Sequence, residues 1–64
     1  MPLAQLYIGP GRSDEIKQQL IANVTKVMTD TLGPLKQPVW VVINDVPLSQ
    51  WGVDGVTIKP PGTA

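Results

Sequence analysis

The 64-residue chain has no cysteine and no histidine. That excludes disulfides, thiolate chemistry and the ligand sets of ordinary zinc, haem and iron–sulfur centres. Five acidic residues are scattered along the chain without the Asp-rich cluster a hard cation needs, so no metal site is expected. Charge is scarce and balanced, with five cationic against five acidic residues. No Lys/Arg cluster exists, which argues against a nucleic-acid partner. The longest apolar run, Val39 to Ile43, is far too short to cross a bilayer, so no membrane is expected. The N-terminus lacks the basic and apolar regions of a signal peptide, and a cytoplasmic location is the default expectation.

Length is also in short supply. A chain below roughly 70–80 residues usually needs disulfides, a metal or partners to hold its fold. With the first two excluded, oligomerisation is the remaining means of stabilisation.

Apolar and β-favouring residues from Leu3 to Ile8 predict a strand, which Gly9, Pro10 and Gly11 end. Ser13 is placed as a helix N-cap, with Asp14 and Glu15 in the first turn. Ile16, Leu20, Val24, Val27, Met28 and Leu32 recur at helical spacing as one apolar stripe, and Gly33-Pro34 stops the helix. Val39 to Ile43 reads as a second strand, apolar on both faces. Residues 44–49 form a connection, 51–55 a short hairpin or turn and 56–58 a brief strand. Residues 59–64, rich in proline and glycine, form a tail. The expected fold class is α+β: a single domain over 1–64, a β-α-β unit with parallel strands and a short C-terminal hairpin. Two strands and one helix leave one sheet face and two edges uncovered, a template for association.

Four residues bear on chemistry. Pro2 is small enough at the second position for Met1 to be removed, which exposes a secondary amine at the head of a strand. An ordinary α-amino group titrates near 8. Proline's amine is more basic, but burial and a nearby guanidinium disfavour its charged form and bring it towards the range where a general base works. A second-position proline taken alone is common and carries no such meaning. Arg12, the chain's one arginine, sits in the loop after the first strand, where its planar fork suits a carboxylate. Taken alone it is equally a solvated surface residue. Trp51 fits either an apolar pocket wall or hairpin packing, and Trp40 either core and interface packing or a pocket wall.

Taken together, Pro2-Leu3-Ala4-Gln5-Leu6-Tyr7-Ile8, then Gly11-Arg12-Ser13-Asp14-Glu15 with Lys17, and Trp51-Gly52-Val53 with Gly55 resemble the 4-oxalocrotonate tautomerase family. The resemblance runs from Pro2 to about Ile58. It implies β-α-β subunits that pair into dimers, three of which form a hexamer, with heterohexamers among related members. It implies a cofactor-independent isomerase acting on a small carboxylate, the 2-hydroxydienoate or enol form of a 2-oxo acid. Pro2 would be the general base. Arg12 would bind the substrate carboxylate and stabilise the developing dienolate. The Gly9 amide would bind substrate, and Trp51 would keep the pocket apolar. Pro2 and Arg12 lie on different elements, so some sites would combine neighbouring subunits.

One departure stands out. Archetypal relatives carry a second arginine where Trp40 stands here. Trp40 offers a single indole N–H, and losing a charge-assisted contact removes about 1.5–3 kcal/mol. The expectation is weak turnover of a dicarboxylate and a better fit to a monocarboxylate with an aromatic end. Alternatives are a partner-dependent or non-catalytic subunit of a heterohexamer, or a hydratase- or dehalogenase-type activity. Hydration needs a carboxylate to activate water; dehalogenase relatives place it where Val53 stands, and Asp54 is one residue off.

Overall fold

The computed structural model describes residues 2–59. Strand β1 (Leu3–Ile8) leads through a loop into helix α1 (Asp14–Leu32), which returns to strand β2 (Trp40–Asp45). A 3-10 turn over Leu48–Gln50 precedes a hairpin of β3 (Gly52–Val53) and β4 (Val56–Thr57). β1 and β2 pair in parallel, with Leu3 opposite Trp40 and Ile8 opposite Asp45. The expected β-α-β unit and terminal hairpin are both present.

The local signals act as their chemistry dictates. Ser13 Oγ accepts from the Ile16 N–H at 3.3 Å and caps α1. Gly33 closes the helix at φ 84°, its N–H donating to the Thr29 carbonyl at 3.1 Å. Asp54 (φ 53°) and Gly55 (φ 84°) both take the left-handed conformation that a two-residue hairpin turn requires. Asp54 is thereby a turn residue.

The helix stripe differs from the expected one. Ile16, Val27 and Leu32 are exposed, whereas Lys17, Leu20, Val24 and Met28 are half-buried. The sheet is only two strands wide, so it shelters a narrow band of the helix and leaves both flanks bare. Lys17 belongs to the sheltered band because its ammonium pairs with Asp45 at the end of β2. Strand β2 begins at Trp40 rather than Val39 and runs on to Asp45. The tail expected from residue 59 lies, apart from Lys59, outside the described residues.

Burial alternates along β1, and along β2 as far as Ile43; Asn44, whose side-chain amide donates to the Leu6 carbonyl, is half-buried as well. Ala4, Leu6, Ile8, Val41 and Ile43 are half-buried on the helix side. The opposite face carries Leu3, Tyr7, Trp40 and Val42, which are 46%, 60%, 53% and 42% exposed. None of the described residues is fully buried. The radius of gyration is 15.0 Å, against about 11 Å for a self-contained domain of this length. The subunit is an open, elongated piece with an apolar sheet face and no closed core. No helix among the described residues is long and apolar enough to cross a membrane.

Candidate functional site

The candidate residues fall into two clusters at opposite ends of the β1–β2 pair. At the head, Pro2 is half-buried immediately before β1, and its carbonyl accepts from the Trp40 N–H at 3.0 Å. Parallel pairing therefore lays the segment entering β2 alongside Pro2. Pro2, Leu35, Lys36 and Gln37 line a shallow concavity of about 450 Å³. Trp40 stands beside this cluster, opposite Leu3 on the open face.

At the tail, Gly9 follows the last residue of β1. Its carbonyl accepts from Arg12 Nη1 at 3.1 Å, which turns the guanidinium back onto its own loop. Gly11 allows that reversal at φ 111°, a conformation that side chains disfavour. Gly9 lies under the 3-10 turn: a Cβ there would meet Leu48 Cδ2 at 3.5 Å. Trp51 also lies at this end. Its Nε1 donates to the Val46 carbonyl at 2.9 Å, and its ring lines a 320 Å³ cavity with Tyr7, Val46, Gln50 and Gly52. The indole's polar edge is satisfied within the subunit.

Pro2 and Gly9 are the two ends of an extended segment, about 23 Å apart at ~3.3 Å per residue. Pro2 with Trp40 and Arg12 with Gly9 and Trp51 are therefore two candidate half-sites that lie apart on this chain. Around Pro2 the concavity brings together an apolar group, Leu35, and a cation, Lys36. At the other end Arg12 presents a planar guanidinium, a shape that suits a carboxylate.

Lys36 has no counterpart among the residues singled out from the sequence. It stands in a Pro- and Gly-rich connection that gives no periodic signal. Its nearness to Pro2 becomes visible only once the Leu3–Trp40 register is known. The same is true of the Lys17–Asp45 pair, whose members are 28 residues apart. Among the described residues no acidic cluster is arranged to hold a metal ion.

A family model described as tautomerase enzyme matches residues 2–60. A 2-hydroxymuconate tautomerase from Comamonas testosteroni is 42% identical over 62 residues, covering 97% of this chain and 98% of the relative. Another 2-hydroxymuconate tautomerase, from Pseudomonas putida, is 44% identical over 55 residues, covering 86% and 87%. Among solved structures, a 4-oxalocrotonate tautomerase isozyme from Methylibium petroleiphilum superposes with TM-score 0.78 at 43% identity, covering 95% and 98%. A heterohexamer 4-oxalocrotonate tautomerase from Chloroflexus aurantiacus superposes with TM-score 0.76 at 29% identity, covering 91% and 94%.

Proposed function

The chain belongs to the 4-oxalocrotonate tautomerase family and is an isomerase, and on that premise we propose that it moves a proton within 2-hydroxydienoates or the enol forms of 2-oxo acids, using Pro2 as the base and Arg12 as the carboxylate anchor. The observation that carries the reading is the position of Pro2: half-buried at the head of β1, beside a concavity wide enough for a small acid.

With Met1 removed, the Pro2 nitrogen is a secondary amine with a free lone pair. It takes the proton from the enol oxygen of the substrate. The electron pair of the broken O–H bond forms the C=O bond, and the conjugated chain shifts its double bond by one carbon. The resulting prolinium then returns a proton to carbon, so the step is a net isomerisation that regenerates the amine and consumes no cofactor. Arg12 pairs with the carboxylate next to the developing carbonyl and offsets the negative charge of the dienolate. Trp51 excludes water from that end, which strengthens the ionic contact, and the Gly9 N–H is the neutral donor to the same substrate end.

The half-sites of one subunit are too far apart to share a substrate, so the working site is composite, with Pro2 from one subunit and Arg12 and Trp51 from others. This requires an oligomer, and the bare apolar sheet face supports one. We propose a homohexamer built as a trimer of dimers. The heterohexamer from Chloroflexus aurantiacus shows that a relative assembles from more than one kind of chain, and a partner-dependent subunit is the second reading here.

Steady-state assays with 2-hydroxymuconate and with phenylenolpyruvate test the activity, on protein whose mass shows Met1 absent. Absence of turnover on both in the isolated chain, with activity restored by a co-purifying second chain, would move the conclusion to the partner-dependent subunit. The assembly has its own test. Val42→Asp puts a charge in the centre of the open face, and burying it unpaired costs several kcal/mol per subunit. Native mass spectrometry should show Val42→Asp as monomers or dimers where the unmodified chain is a hexamer. An intact Val42→Asp hexamer would remove this face from the interface.

A further inference from the structure

The chain's five cations are not equivalent. Lys17 is paired with Asp45 and Lys26 with Asp30. Arg12 sits at the tail cluster, bonded to the Gly9 carbonyl. Lys59 follows the hairpin, beyond β4. Lys36 alone shares a concavity with Pro2, and among the described residues no carboxylate pairs with it. The other lining groups complete a small binding surface: Leu35 is half-buried and apolar, and Gln37 can donate or accept.

We propose that Lys36 is a substrate-binding residue that holds an anionic group, a carboxylate, beside the Pro2 amine. The proposal rests on the reading of Pro2 as the base and extends it to the substrate's second end. A substrate lying across the composite site would meet Arg12 at one end and Lys36 at the other. The position of Trp40 led to the expectation that only one carboxylate could be held by charge. Lys36 supplies the cation that Trp40 lacks, four residues earlier in the segment that enters β2 beside Pro2. An unsaturated acid with a carboxylate at each end is then accommodated, while Trp40 remains available to pack against its carbon chain.

Connection geometry favours this role. The segment that carries Lys36 is tethered to Pro2 by the Trp40 N–H bond to the Pro2 carbonyl. It is stiffened by Pro34 and Pro38, which fix their own φ angles and restrict Gly33 and Gln37 before them. The ammonium is therefore delivered from a constrained backbone, although the side chain itself remains in contact with water.

The test compares Lys36→Gln and Lys36→Arg with the unmodified enzyme on 2-hydroxymuconate, which has two carboxylates, and on phenylenolpyruvate, which has one. Lys36→Gln is expected to raise KM for the dicarboxylate about tenfold, the loss of one charge-assisted contact. It should leave KM for the monocarboxylate within about twofold, and Lys36→Arg should restore most of the dicarboxylate KM. An unchanged dicarboxylate KM, or an equal rise for both substrates, overturns the proposal. Pro2→Ala assayed alongside separates the two failures. If it is inactive while Lys36→Gln matches the unmodified enzyme, Lys36 alone is dismissed. If Pro2→Ala keeps full activity, the reading of Pro2 falls and this proposal falls with it.

Discussion

Replacing Pro2 with alanine should lower kcat by about 10²-fold, the low end of what a positioned general base contributes. Alanine at the second position still permits removal of Met1, so the variant presents a free primary amine at the same place. What it loses is the ring, which fixes the direction of the nitrogen lone pair, and the higher basicity of a secondary amine. The fold should survive, because the Pro2 carbonyl and not its ring makes the bond to the Trp40 N–H. A form that retains Met1 makes the complementary case. Its Pro2 nitrogen is an amide whose lone pair is delocalised into the carbonyl, and it should be inactive while still assembling. Intact mass alongside the assay reads both. Full activity in a preparation shown to carry Met1 would remove Pro2 from the chemistry.

Arg12→Ala should reduce kcat/KM by roughly 10- to 150-fold, equivalent to the loss of about 1.5–3 kcal/mol from one charge-assisted contact. If the guanidinium stabilises the dienolate as well as binding the substrate, kcat falls together with a rise in KM. The separation of the half-sites adds a sharper outcome. When Pro2→Ala and Arg12→Ala subunits are unfolded together and refolded, some sites of the mixed oligomer combine an intact Pro2 from one variant with an intact Arg12 from the other. Activity should therefore reappear in a mixture of two nearly inactive proteins. If Pro2 and Arg12 of the same subunit formed the site, every site would carry one lesion and the mixture would stay inactive. The ~23 Å of extended chain from Pro2 to Gly9 is the reason to expect complementation.

Much of the subunit is legible in its sequence. The N-cap at Ser13, the stop at Gly33 and the hairpin turn at Asp54-Gly55 are short-range devices, each decided by side chains and backbone angles within about four residues. The helix stripe was legible only in part. Periodicity shows which residues could face a sheet but not how wide the sheet is, so it places Ile16, Val27 and Leu32 in the same stripe although the sheet does not reach them. Lys17 shows the converse: a cation at a sheltered position, explained only by the carboxylate of Asp45 arriving from the end of β2, 28 residues away.

The site followed the same division. Pro2, Gly9, Arg12, Trp40 and Trp51 drew attention as residue types at telling places, and the family resemblance tied them together. Lys36 did not, since nothing about a lone lysine in a loop distinguishes it.

What the amino-acid sequence determined alone is the order of elements, their caps and turns, and the need for partners, because each rests on local stereochemistry or on the small apolar surface that so short a chain can bury. Tertiary structure decided which residues meet. The parallel register brings Lys36 to Pro2 and Asp45 to Lys17, and the extended course of β1 keeps Pro2 away from Arg12. Register is set by the joint fit of strands and helix across distant parts of the chain, and no local pattern records it.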